Sequence, residues 1–242
     1  MLARRKQIAA VAIVLIGLGG VLAIWLNSRR ASDSAQQPSS QVLDTTPIPF
    51  GYKTAWVAVH SQDQRAVAAA LGLRDVHAAG WHPGLDQAID GGSGLVFVAP
   101  PVNGWVLAVG KALLGDAKYE DTIKALSRQF GEAQYYESMR VADAYAWAQA
   151  RDGEVMCLFD GANGREPRRE GFEHELESVV RLRFVEKLPP DEKDRTAAER
   201  RQAPFPDEED VLRVADVWSV NPMDMEKYPE AQYSGLVGRY PR

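Results

Sequence analysis

The sequence predicts an α+β protein: a single N-terminal transmembrane helix, a flexible linker, and one globular domain with a mainly antiparallel sheet and flanking helices. Three observations lead there. Ile8 to Leu26 is a run of nineteen residues without a charge. Asn27 to Pro47 is polar and lacks any apolar period. The remaining chain mixes strand-length apolar runs, bounded by turn residues, with segments of helical period. The boundaries are 1–30 for the anchor, 31–47 for the linker and 48–242 for the domain.

As a helix rising about 1.5 Å per residue, IAAVAIVLIGLGGVLAIWL is roughly 28 Å long, close to the thickness of a bilayer's hydrocarbon core. A cleaved signal peptide is the competing reading. Its apolar region is usually shorter, and Leu26-Asn27-Ser28 fits the small-x-small cleavage pattern poorly. No cysteine follows the run, which argues against a lipoprotein. Arg4, Arg5, Lys6 and the terminal amine outweigh Arg29 and Arg30, so the positive-inside tendency leaves the N-terminus in the cytoplasm and sends the domain across. Gly19 and Ala23 form a small-x-x-x-small pair, a spacing that chance supplies readily in so glycine- and alanine-rich a span. The following stretch, rich in Ser, Gln, Thr, Asp and Pro, reads as a tether with an r.m.s. reach of roughly 25 Å.

Five of the 28 basic and two of the 33 acidic residues precede Ile48, which leaves the domain 23 against 31, a net of −8. Concentrated positive charge is what phosphate binding needs, so nucleic acid is excluded as a partner class. The acidity serves solubility and also suits a basic protein partner. The single cysteine, Cys157, permits no intrachain disulfide and sits among apolar residues as a small core side chain.

Within the domain, Lys53 to Val59 predicts a strand. SQDQRAVAAALG predicts a short helix, with Ser61 and Gln64 at capping-box spacing and Gly72 as its stop. Gly94 to Gly110 is apolar enough to suggest a second span, but Pro100-Pro101 removes two backbone donors and Asn103-Gly104 favours a turn. It reads instead as a buried pair of strands, Leu95 to Ala99 and Trp105 to Val109, with Trp105 in the core.

DAKYEDTIKALSRQFG predicts a helix with Asp116 as N-cap and Gly131 as stop. Glu132 to Gly161 predicts three antiparallel strands, the last two joined at Asp152-Gly153; Tyr145 and Trp147 alternate with alanines, large side chains on one face and small on the other. GFEHELESVVRLRF has an ambiguous period, and DEKDRTAAERRQ reads as a solvated helix or loop. PDEEDVLRVADVWSVNP predicts a helix with Pro206 in its first positions, acidic residues along its first turn, and Val211, Leu212, Val214, Ala215 and Trp218 inward.

The chemistry-bearing inventory is thin. His60, His77, His82 and His174 form no H-E-x-x-H motif, and no C-x-x-C pair exists, so the sequence calls for no metal and no cofactor. Ser93 in GGSGL lacks the complete nucleophile elbow and reads as a turn serine. Asp160, Asn163 and Glu166 resemble part of a calcium loop but supply too few ligands, which leaves a polar hairpin turn. Trp81 and His82 in GWHPG are the one candidate partner-binding pair: beside Pro83 and Gly84 they could project from a loop as an anchor, while a tryptophan pinning its loop to the core is the plainer alternative.

The segments FGEAQYYESMRVADAYAWAQARDGEVMCLFDG, FVAPPVNGWVLAVG and ADVWSVNP follow one another in an order that resembles a poorly characterised group of bacterial proteins, some associated with toxin-immunity loci. The resemblance covers roughly Trp56 to Pro222. It implies a bacterial source and a binding role and carries over no catalytic residue. Together with the anchor it places the domain in the periplasm, held to the inner membrane. The expected function is that of a membrane-anchored periplasmic immunity protein that binds and inhibits a toxin effector, its partner a basic secreted toxin. A structural or assembly component of an envelope or secretion machine and a membrane-tethered hydrolase are the alternatives.

Overall fold

A computed structural model describes residues 44–91, 94–162, 168–171 and 206–241. The expected anchor, most of the linker, Ser93, Asn163, Glu166, His174 and the two charged segments between 172 and 205 lie outside the described residues. Among the described residues no helix is long and apolar enough to cross a membrane.

Nine strands form one antiparallel sheet: β1 (Thr54–His60), β2 (Arg74–Ala79), β3 (Leu95–Val98), β4 (Trp105–Val109), β5 (Glu132–Met139), β6 (Ala144–Arg151), β7 (Glu154–Gly161), β8 (Arg168–Glu170) and β9 (Gly235–Arg239), in the spatial order β2-β9-β3-β4-β1-β5-β6-β7-β8. The helices are α1 (Gln64–Ala70), α2 (Trp81–Leu85), α3 (Tyr119–Phe130) and α4 (Glu208–Trp218). This is the expected α+β class with a mainly antiparallel sheet and flanking helices. The β3–β4 pair and the β5–β6–β7 meander stand where the sequence puts them.

Successive strand residues face opposite sides, and here both sides are covered. Phe97, Val109, Trp56, Tyr136, Trp147 and Phe159 stand opposite one another in register across six strands, and α2, α4 and the turn at Met225 pack on them. Val57, Ala108, Tyr135, Ala148 and Leu158 line the other side beneath α1 and α3. The alternation of Tyr145 and Trp147 with alanines therefore divides large from small between two buried faces. A ring needs depth above the sheet, whereas alanine lets α3 approach closely.

Several local expectations shift. The N-cap of α1 is Asp63, whose carboxylate accepts from the amides of Arg65 and Ala66, while Ser61 Oγ accepts from the Asp63 amide one step earlier. Asp116 sits before Lys118, the cap residue of α3, and accepts its amide at 2.9 Å. Pro206 precedes the cap of α4: Asp207 is the N-cap and forms a reciprocal capping box with Asp210. Trp105 and Trp218 are only partly buried against the core.

Packed backbone begins upstream of the expected start at Ile48, at Asp44 and Thr45. Asp44 O accepts from the Trp81 amide and Thr45 O from the Ala231 amide, both at 3.1 Å, so the last residues of the expected linker are docked. Backbone bonds of this kind fix a segment that has no apolar pattern to announce it.

Candidate functional site

Gly80 opens α2, and the helix turns Trp81 and His82 in opposite directions. Trp81 is fully buried, its ring set edge-on to Phe97 with centroids 5.5 Å apart. Of the two readings, the tryptophan that pins its segment to the core holds and the projecting anchor does not: Trp81–Leu85 is helical, and the indole fills space between α2 and β3. Pro83 at the third helical position costs nothing there, because the first amides of a helix have no intrahelical acceptor. His82 does face solvent and holds Asp86 one turn on, with Nδ1 3.0 Å from Oδ2. Both side chains are more than half exposed, so the pair contributes little to stability.

Three polar groupings were not assembled from the sequence. At the start of α3, the Tyr119 and Tyr135 rings stack 4.4 Å apart. Tyr119 Oη donates to Asp160 Oδ2 at 3.2 Å; Tyr135 Oη donates to Glu137 Oε2 at 2.6 Å, and the same oxygen accepts the Gly115 amide at 2.9 Å. Burial, then the neighbouring carboxylates, pushes both phenols well above the ordinary tyrosine range. They remain neutral donors, which suits them to closing the helix start onto the sheet. Asp160 is thus a hydroxyl acceptor placed within β7, opposite Ala146 and Arg168, and not in a turn.

Glu132 centres a second grouping. Its Oε1 accepts from Gln134 Nε2 at 2.8 Å and Gln149 Nε2 at 2.7 Å, and its Oε2 from Arg151 Nε at 3.2 Å. Gln134 also donates to the Trp218 carbonyl at 3.1 Å and accepts from Tyr136 Oη at 2.7 Å. The Gln134 bond to the Trp218 carbonyl ties the end of α4 to this β5–β6 network, which so helps to position the helix.

The third grouping is partly exposed: Asp207 and Glu209 face solvent, Glu208 is half-buried and Asp210 is buried. Asp207, Glu208, Glu209 and Asp210 occupy the cap and first turn of α4, where the helix dipole favours negative charge. Arg213 reaches back to Asp210 at 2.7 Å and Glu209 at 2.8 Å. Desolvation raises the Asp210 carboxyl above its ordinary range despite that arginine. Arg140, in the β5–β6 turn, contacts Glu208 at 3.4 Å and links the helix start to that turn. Beside it stand exposed Asp143 and Val141, the latter 80 % exposed; farther along α4 are exposed Asp216 and Val217. An acidic rim with Val141 exposed at its edge can hold a basic protein by charge and by burial of that side chain. The signal for this surface was present in PDEED, read there only as a helix start.

Among the described residues, no group of three His, Cys, Asp or Glu side chains is placed to hold a metal ion. No protein-family profile, curated protein or solved structure matches the chain.

Proposed function

We propose that this is a membrane-anchored periplasmic binding protein of the immunity type, which occludes a basic toxin effector. The observation that carries the reading is the acidic surface formed by the start of α4 and the β5–β6 turn, where Asp207, Glu209 and Asp143 are exposed together with Val141. The charge-free run Ile8–Leu26 and the domain's net charge of −8 support it. Inhibition by occlusion requires a complementary surface and the right compartment; the anchor would supply the second by raising local concentration at the membrane.

The test is protection. The toxin encoded next to this gene, expressed with an export signal, is expected to arrest growth, and the full chain to restore it. The domain without residues 1–30, confined to the cytoplasm, is expected to give no protection. Failure of the full chain to protect against any neighbouring gene product would favour a role in envelope assembly, which shares the single-span layout.

A further inference from the structure

Among the described strands β2 stands at one edge of the sheet, opposite β8, and pairs with β9 alone. Five of its six residues, Arg74 to Ala78, are exposed, and only Ala79 is buried. A strand that buries so little apolar surface is held by its ladder and not by packing. That ladder is itself interrupted, since the register shifts between Arg74 and His77 and Asp75 adopts a left-handed φ of +53°. His77 Nδ1 lies 3.2 Å from the Asp75 carbonyl and so occupies one of the bulge's backbone groups.

Strand β9 is the opposite case. Gly235 to Gly238 are buried, and the strand is fastened at both ends: Gln64 Nε2 donates to the Ser234 carbonyl at 2.8 Å, and the Tyr240 amide to the Gly94 carbonyl at 2.7 Å. Tyr240 Oη donates to Asp116 Oδ2 at 2.9 Å. Its two glycines make room for close neighbours. A Cβ on Gly235 would overlap the Phe97 ring, and one on Gly238 would lie 2.9 Å from Leu73 Cβ and 3.0 Å from Val76 Cγ2.

We infer that β9 is a clasp that carries β2: when Gly235–Arg239 leaves the sheet β2 leaves with it, and the apolar edge Leu95–Val98 is uncovered while β1, β5 and β6 stay paired. The device is independent of the binding role, because it rests on strand order and burial alone. Native-state hydrogen exchange on the full chain tests it. Gly235→Ala is expected to raise amide exchange in β9 by about ten-fold or more, and at His77 and Ala79 of β2, whose amides face β9, by at least as much, with β5 and β6 unchanged. Tyr240→Phe, which removes the hydroxyl's hydrogen bonds to Asp116 and Thr122 and leaves the ring, is expected to give a smaller rise in the same two strands and covers the case in which Gly235→Ala does not fold. A rise confined to β9, no rise in either strand, or an equal rise in β5 and β6 would overturn the inference.

Discussion

Tyr136 stacks on Trp56 across the β1–β5 pair, with ring centroids 5.0 Å apart and planes 18° from parallel. The two rings sit in the middle of the aromatic row, and the Tyr136 hydroxyl joins that row to the Glu132 network through Gln134. Trp56→Ala is therefore expected to cost about 3–5 kcal/mol, the usual price of an emptied aromatic site. Tyr136→Phe keeps the stack but leaves Gln134 Oε1 short of a donor, which costs about 1–3 kcal/mol. Equilibrium urea unfolding of both variants checks the ranking, and a Tyr136→Phe protein as stable as the parent would show the hydroxyl to be dispensable.

Phe97 is clamped between two glycines, Gly84 on α2 and Gly235 on β9. Gly84→Ala is expected to destabilise the domain by about 1–3 kcal/mol, because the methyl would have to displace a fully buried ring. A double variant with Phe97→Leu should recover part of that loss. Thermal melts of the single and double variants report it, and strictly additive losses would contradict the contact.

Burial assigns Trp81 and His82 different fates. Trp81→Ala is expected to cost about 3–5 kcal/mol in stability, whereas His82→Ala should stay within about 0.5 kcal/mol of the parent. Chemical denaturation separates them. Equal and small effects would return Trp81 to the surface.

Alkaline pH should loosen the fold through its tyrosines. Burial raises the Tyr119, Tyr135 and Tyr136 phenols above the unfolded value of about 10, so the folded state favours their neutral form. Their contribution is complete below about pH 10 and is lost as pH climbs from there toward the folded values. Unfolding free energy should fall above pH 10, with phenolate absorbance appearing only as folded circular dichroism disappears. Ionisation of these buried tyrosines below pH 10 in an intact fold would contradict the assignment.

Where burial writes a period into the chain, the fold was legible. The β3–β4 pair, the β5–β7 meander and α4 follow from valine-rich runs, alternating alanines and a clear inward stripe. Strands β2 and β9 were not. RDVHAA is exposed on both sides and therefore has no alternation, and GLVGR carries two glycines for reasons of space that only the folded neighbours Phe97, Leu73 and Val76 reveal. The helix at Trp81 was hidden because proline and glycine read as a loop, although proline is tolerated in a first turn. The polar groupings were invisible for a related reason: Tyr119 meets Asp160, and Gln134 meets the Trp218 carbonyl, across long stretches of sequence that no local spacing encodes.

The proposed role depends on the acidic surface at α4. Titration of the purified full chain with the neighbouring toxin tests it most directly, comparing the parent with a Glu209→Lys, Asp216→Lys double variant at low and high salt. The parent is expected to form a stoichiometric complex that weakens as salt rises, and the double variant to bind about ten-fold or more weakly while melting near the parent. Absence of a complex, or an affinity that neither charge reversal nor salt alters, would contradict the account.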